Sequence, residues 1–105
     1  MAWKGLKILK IHIKFYGVFR TAARTSEIDF NVSGLTPTVR SLISQLVAGN
    51  EYADLKRLLL ETASEDPRPN ALIMVSGREI NSLDGLETSL SENDELGLLP
   101  VAHGG

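Results

Sequence analysis

The chain ends in Gly104-Gly105, and its terminal carboxylate is the group in this sequence best placed for chemistry. In model peptides an α-carboxyl has a pKa of about 3.5, so at neutral pH it is an anion. Glycine carries no side chain and reaches backbone conformations closed to other residues. A Gly-Gly end therefore enters a narrow channel with the least obstruction, and any larger residue at Gly105 would crowd the reacting carbon. With average glycine usage of about 7%, a random chain ends in two glycines roughly once in 200 cases. The pair alone is suggestive, and its weight depends on the rest of the chain.

The rest of the chain offers little competing chemistry. Cysteine is absent, which removes thiol nucleophiles, thiolate metal sites and disulfides together. His12 and His103 are the two histidines, too few and too far apart for a metal site. Acidic residues are plentiful, but no pair stands in a catalytic setting, and no phosphate-binding glycine loop, nucleophile elbow or zinc motif occurs. The sequence thus assigns no catalytic residue, no metal and no bound cofactor. A chain of 105 residues, 43% hydrophobic and 23% charged, fits one folded domain with little volume to spare for a buried cleft.

A formal net charge of −2 supplies no basic field for phosphate backbones, so nucleic acid is excluded as a direct partner. Lys4, Lys7, Lys10 and Lys14 are the one local excess of positive charge and read as a solvated strand face. Lysines interrupt the apolar residues from Leu6 to Phe15, so this stretch does not read as a signal peptide, and no apolar run is long enough to span a bilayer. The expectation is a soluble, cytoplasmic protein with no membrane partner.

Elements that could hold such a tail follow from periodicity. Leu9, Ile11, Ile13 and Phe15 alternate with Lys10, His12 and Lys14, and Ile28, Phe30 and Val32 alternate with Glu27, Asp29 and Asn31, giving two strands with Gly17 to Thr25 as the return. After Gly34 the period changes. Thr36 is expected to cap a helix with Pro37 at its first position, and Val39, Leu42, Ile43 and Leu46 form its apolar stripe. Tyr52, Ala53, Leu55, Leu58 and Leu59 make a second apolar-periodic stretch, either a separate short helix or a continuation. Ser64 to Asn70 is a surface loop, because Pro67 and Pro69 exclude regular pairing.

Ala71 to Val75 is a continuous apolar run, as in a strand covered on both faces or lying centrally in a sheet. Ser76-Gly77-Arg78 turns the chain, Glu79 and Ile80 form a short edge strand, and Leu83, Leu86 and Leu90 pin an irregular crossover. Leu96 to Leu99 is the last strand, ended by Pro100. Residues 1–100 thus make one domain and residues 101–105 a free tail. Strands at both ends with helix between them give an α+β fold, one mixed sheet with its helices on one face. The order of elements is that of a β-grasp.

The chain resembles the ubiquitin-like β-grasp sulfur carriers and modifiers. These include the molybdopterin synthase small subunit, the thiamine sulfur carrier, the small archaeal modifier proteins and the ubiquitin-related modifier. The likeness covers nearly all the chain in element order and is sharpest from Ala71 to Gly105. Leu72 to Ile80 looks like the family's central strand and turn, and Asn93-Asp94-Glu95-Leu96 like its acidic turn into the last strand. Pro100-Val101-Ala102 is similar to the molybdopterin synthase small subunit, with one proline of the usual pair absent. His103-Gly104-Gly105 is similar to the end of the ubiquitin-related modifier.

The resemblance implies a protein that is a substrate of enzymes rather than an enzyme. An activating partner would adenylate the Gly105 carboxylate with ATP. The acyl adenylate would then become a thiocarboxylate or be conjugated to lysines of target proteins. If a precursor extended past Gly105, a protease would first expose it. Val101, Ala102 and His103 would be tail contacts inside the partner. If the helices cover one sheet face, Leu99, Gly97 and His12 lie on the other, in a flat apolar surface where an activating enzyme docks. The implied recipients are lysine-bearing proteins, a transfer RNA thiolation enzyme, or, in the alternative reading as a synthase small subunit, a molybdopterin synthase large subunit.

Overall fold

The computed structural model describes residues 5–60 and 66–101. The first alternating run forms β1 (Lys7–Phe15) and the second β2 (Glu27–Gly34), paired antiparallel from Lys7 opposite Gly34 to Lys14 opposite Glu27. The connection, expected as a plain return, contains a short helix, α1 (Gly17–Ala23). Phe19 and Ala23, four residues apart, turn into the core, but a single apolar pair next to an exposed Val18 makes no clear stripe in the sequence. Arg24 stops the helix in the left-handed region at φ 62°, its N–H donating to the Arg20 carbonyl at 2.9 Å.

Helix α2 (Val39–Leu46) is capped by Thr38, not Thr36. The Thr38 hydroxyl accepts from Ser41 N–H at 3.2 Å, and the Ser41 hydroxyl accepts from Thr38 N–H at 2.8 Å. Such a reciprocal box needs a polar side chain three residues after the cap. Counting from Thr36, that position is Val39, which has none. The second apolar stretch is a separate helix, α3 (Ala53–Leu59), whose Leu55 and Leu59 are fully buried.

Strand β3 (Ala71–Val75) turns through Ser76 (φ 48°) and Gly77 (φ 86°) into β4 (Arg78–Glu79). Two successive positive φ angles match the right-handed twist of the flanking strands. Ile80, expected in the edge strand, instead opens a single 3-10 turn and is buried. Glu79 holds that turn by accepting from Asn81 N–H at 2.9 Å. Leu86 and Leu90 pin the crossover to the core, and β5 (Glu95–Pro100) follows.

The sheet runs β2-β1-β5-β3-β4. The last strand lies in the middle, parallel to β1 and antiparallel to β3, which is the β-grasp arrangement in an α+β fold. The inward residues of the strands, among them Ile11, Ile13, Ile73, Leu96 and Leu98, pack with Phe19, Leu42, Leu55 and Leu59 from the helices. Each is at most 1% exposed, and burial of such a side chain is worth about 1.5–3 kcal/mol. No described helix is long and apolar enough to cross a membrane.

Candidate functional site

Because β5 is hydrogen-bonded on both sides, it carries the chain end out of the middle of the sheet. Its pairing with β3 ends at Pro100 opposite Ala71, and Val101 N–H then donates to the Asn70 carbonyl at 3.1 Å. Asn70 is fixed in turn by its side-chain amide, which donates to the Leu59 carbonyl of α3 at 2.9 Å. Backbone anchoring thus reaches Val101, one residue past the expected domain end. On the β1 side, Tyr16 N–H donates to the Leu98 carbonyl at 3.1 Å. Ala102, His103, Gly104 and Gly105 lie outside the described residues.

Alternation along β5 sends Leu96 and Leu98 into the core, both at 0% exposure, and Gly97 and Leu99 to the opposite face. In register beside them on β3 stand Met74, opposite Gly97, and Leu72, opposite Leu99. Leu72 is exposed and Met74 half-buried. Tyr16, just past the end of β1, completes the group. The surface is not flat. Tyr16, Met74, Gly77, Glu95, Gly97 and Leu99 enclose a depression of about 120 Å³.

Sequence reasoning named Gly97 and Leu99 but missed Tyr16, Leu72 and Met74. The signal was present in the apolar run of β3. That run is continuous because its outward residues belong to this patch, not because a second layer covers it.

His12 faces the same side one strand away, opposite Glu95. It does not present a free ring. Nδ1 lies 2.8 Å from Asp29 Oδ1 and Nε2 lies 2.7 Å from Glu27 Oε1, both on β2. Carboxylates only accept, so this geometry favours the form in which both ring nitrogens donate, the imidazolium. The Asp29 hydrogen bond, reinforced by Glu27, raises the His12 pKa above 6.5, and His12 holds Asp29 below its ordinary value. Lys14 Nζ lies 3.5 Å from Glu95. The face therefore joins an apolar patch at β3 and β5 to an ionic stripe at β1 and β2.

Among the described residues the interior offers no second site. Thr88 is the one buried polar residue among those described, and its hydroxyl accepts from Asp84 N–H and donates to the Gly85 carbonyl. No group of three His, Cys, Asp or Glu among the described residues could hold a metal ion.

No protein-family model matches the chain. Small archaeal modifier protein 3 of Haloferax volcanii is 29% identical over 97 residues, spanning 92% of this chain and 100% of that protein. The solved structure of small archaeal modifier protein 1 from Methanosarcina acetivorans is 30% identical with a TM-score of 0.77, covering 94% of this chain and 99% of that one. Urm1 of Trypanosoma brucei shares the fold at 21% identity, with a TM-score of 0.71 over 94% of this chain and 98% of that one.

Proposed function

The chain belongs to the small archaeal modifier family of ubiquitin-like β-grasp proteins, and we propose that its Gly105 carboxylate is adenylated by an ATP-dependent activating enzyme. It is a ubiquitin-like modifier or sulfur carrier, and within that class the diglycine end is the working group. The observation that carries this reading is the continuity of Gly104-Gly105 with β5. The strand is paired with β1 as far as Leu98 and with β3 as far as Pro100, and is hydrogen-bonded at Val101, so a short extension can be presented from a rigid body.

The chemistry follows from the carboxylate. An oxygen of the Gly105 carboxylate attacks the α-phosphorus of ATP, forming an acyl adenylate and releasing pyrophosphate. A hydrosulfide then displaces AMP to leave a thiocarboxylate, or a persulfide displaces AMP to leave an acyl disulfide, from which a thiol of the donor protein releases the thiocarboxylate by forming a disulfide. Alternatively a lysine amine displaces AMP, directly or through an enzyme thioester, to leave an isopeptide bond. Glycine at both positions leaves the acyl carbon open to either nucleophile. Ala102 and His103 would line the partner's channel with Val101, and the face bearing Leu99 and Gly97, with His12 at its border, would dock the activating enzyme.

The test is intact mass after incubation with the adenylating enzyme of the same organism, ATP and a sulfur donor. Exchange of one terminal oxygen for sulfur, lost when Gly105 is deleted, establishes a sulfur carrier, and isopeptide links to lysines establish a modifier. An unchanged mass with an enzyme that is active on another carrier sinks the proposal.

A further inference from the structure

Gly97 stands in the interior of the central strand, where glycine weakens a sheet because it costs more backbone entropy and packs nothing. Two reasons normally justify it, and neither applies. Its φ is not positive, unlike those of Gly5, Gly17, Gly34, Gly77 and Gly85, so the backbone does not require glycine. Nor does close packing: an added Cβ would lie 3.6 Å from Leu99 Cδ1, 3.7 Å from Tyr16 Cε2 and 4.0 Å from Met74 Cβ, which are ordinary contact distances. What a side chain there would remove is the depression. Gly97 is its floor, and Tyr16, Met74 and Leu99 are its walls.

We propose that this depression is a socket for one apolar side chain presented by the enzyme that takes the tail, and that Gly97 sets its depth. The inference rests on the activated carboxylate proposed above and adds how the partner is recognised. The occupant follows from position. β5 continues from Gly97 through Leu99 and Pro100 to the tail, so this face borders the point where the tail departs and is within reach of a protein that holds the tail. Its chemistry follows from the walls, which are aromatic and aliphatic, with Glu95 at the rim already engaged by Lys14. The Tyr16 hydroxyl makes no hydrogen bond to a described residue and remains open to a polar group beside the inserted side chain. Small, well-desolvated sockets of this kind tend to hold the anchor residues of an interface.

The experiment uses the full chain and its Gly97→Ala, Gly97→Val, Met74→Ala and Gly105-deleted variants. Each is given to the adenylating enzyme of the same organism with ATP, pyrophosphate release is followed against carrier concentration, and thermal midpoints are measured in parallel. Filling the floor should leave Gly97→Ala and Gly97→Val at least as stable as the parent, since both suit a strand better than glycine. The apparent KM should rise modestly for Gly97→Ala and by about tenfold or more for Gly97→Val, with kcat within about twofold because the tail is intact. Met74→Ala removes a wall without adding bulk and should raise KM as well, which keeps the test valid if Gly97→Val folds poorly.

An unchanged KM in Gly97→Val and Met74→Ala overturns the socket while the activated tail stands. A fall in kcat at constant KM also overturns it, by assigning Gly97 to alignment of the tail. No release from the parent chain, or full release without Gly105, overturns the underlying reading and the socket with it.

Discussion

Gly17 and Pro100 meet so closely that a Cβ on Gly17 would lie 2.7 Å from Pro100 Cγ. Gly17 opens α1, and Pro100 is the last residue of β5. The helix inserted between the first two strands therefore backs the point where the tail departs, and only a residue without a side chain allows it. At φ 54° the backbone at this position also disfavours any other residue. Gly17→Ala should cost about 1–2 kcal/mol for the left-handed conformation, plus a repulsive component against the ring. The check is a double-mutant cycle with Pro100→Ala read by urea unfolding. The alanine at position 17 should cost less once the ring is gone, and identical costs in the two backgrounds would show that the contact carries no energy.

Edge strand β2 is guarded by α2. Gln45 Oε1 accepts from Ser33 N–H at 3.0 Å and Gln45 Nε2 donates to the Ser33 carbonyl at 2.8 Å, so one side chain takes up both outward backbone groups of that residue. An open edge is a template for pairing with another chain. Gln45→Ala should lower stability by about 1 kcal/mol and increase self-association at high protein concentration. Sedimentation velocity checks the second effect, and a variant as monomeric as the parent removes the guarding role.

Much of this was legible in the sequence wherever a period was long enough to register. The alternation of Leu9 to Phe15 gave β1 and its inward face, and the stripe of Val39 to Leu46 gave α2. The placement of Leu96 and Leu98 inward, with Gly97 and Leu99 outward, followed from the same rule. The stretch from Tyr52 to Leu59 showed its stripe, but α1 was hidden because only Phe19 and Ala23 of its residues are buried, and the cap of α2 depended on which threonine had a serine three positions later. Tertiary register was hidden too. Nothing local in Glu27, Asp29 or His12 says that β2 will pair with β1 so that His12 falls between the two carboxylates, and nothing local in Tyr16 says that it will border Gly97.

Leu99 is half-buried on the outward face beside Leu72. Leu99→Asp should leave the fold intact at a cost of about 1–2 kcal/mol, because Leu99 lies outside the core and Leu72 opposite it is exposed. Placing a charge in an apolar contact that becomes desolvated should raise the apparent KM for activation by about tenfold or more. Circular dichroism verifies the fold, and pyrophosphate release measures activation. A folded variant activated at the parental rate would remove this face from the docking surface.

The ionic stripe gives the protein a pH dependence with a definite sign. His12 has its pKa raised above 6.5, first by the Asp29 hydrogen bond and then by Glu27. A group of this kind contributes stability that is fully present below its unfolded value and is lost as pH rises through its folded value. Asp29, lowered below 3.8 by the same hydrogen bond, acts in the opposite sense, and its contribution is lost as pH falls through the lowered value. The cluster is therefore complete between these limits, and unfolding midpoints should decline as pH is raised from 6.5 through the elevated His12 pKa. Loss of the ring proton leaves at least one carboxylate without its donor and makes this border of the sheet more negative. Lys10 and Lys14 share the face, and Lys14 Nζ lies 3.5 Å from Glu95. Replacing His12 by glutamine should flatten the decline, and Asp29→Asn should bring the His12 titration, read from its ring proton resonances, closer to 6.5. A His12 that titrates at or below 6.5 in the parent chain would show that the two carboxylates do not hold it as an imidazolium.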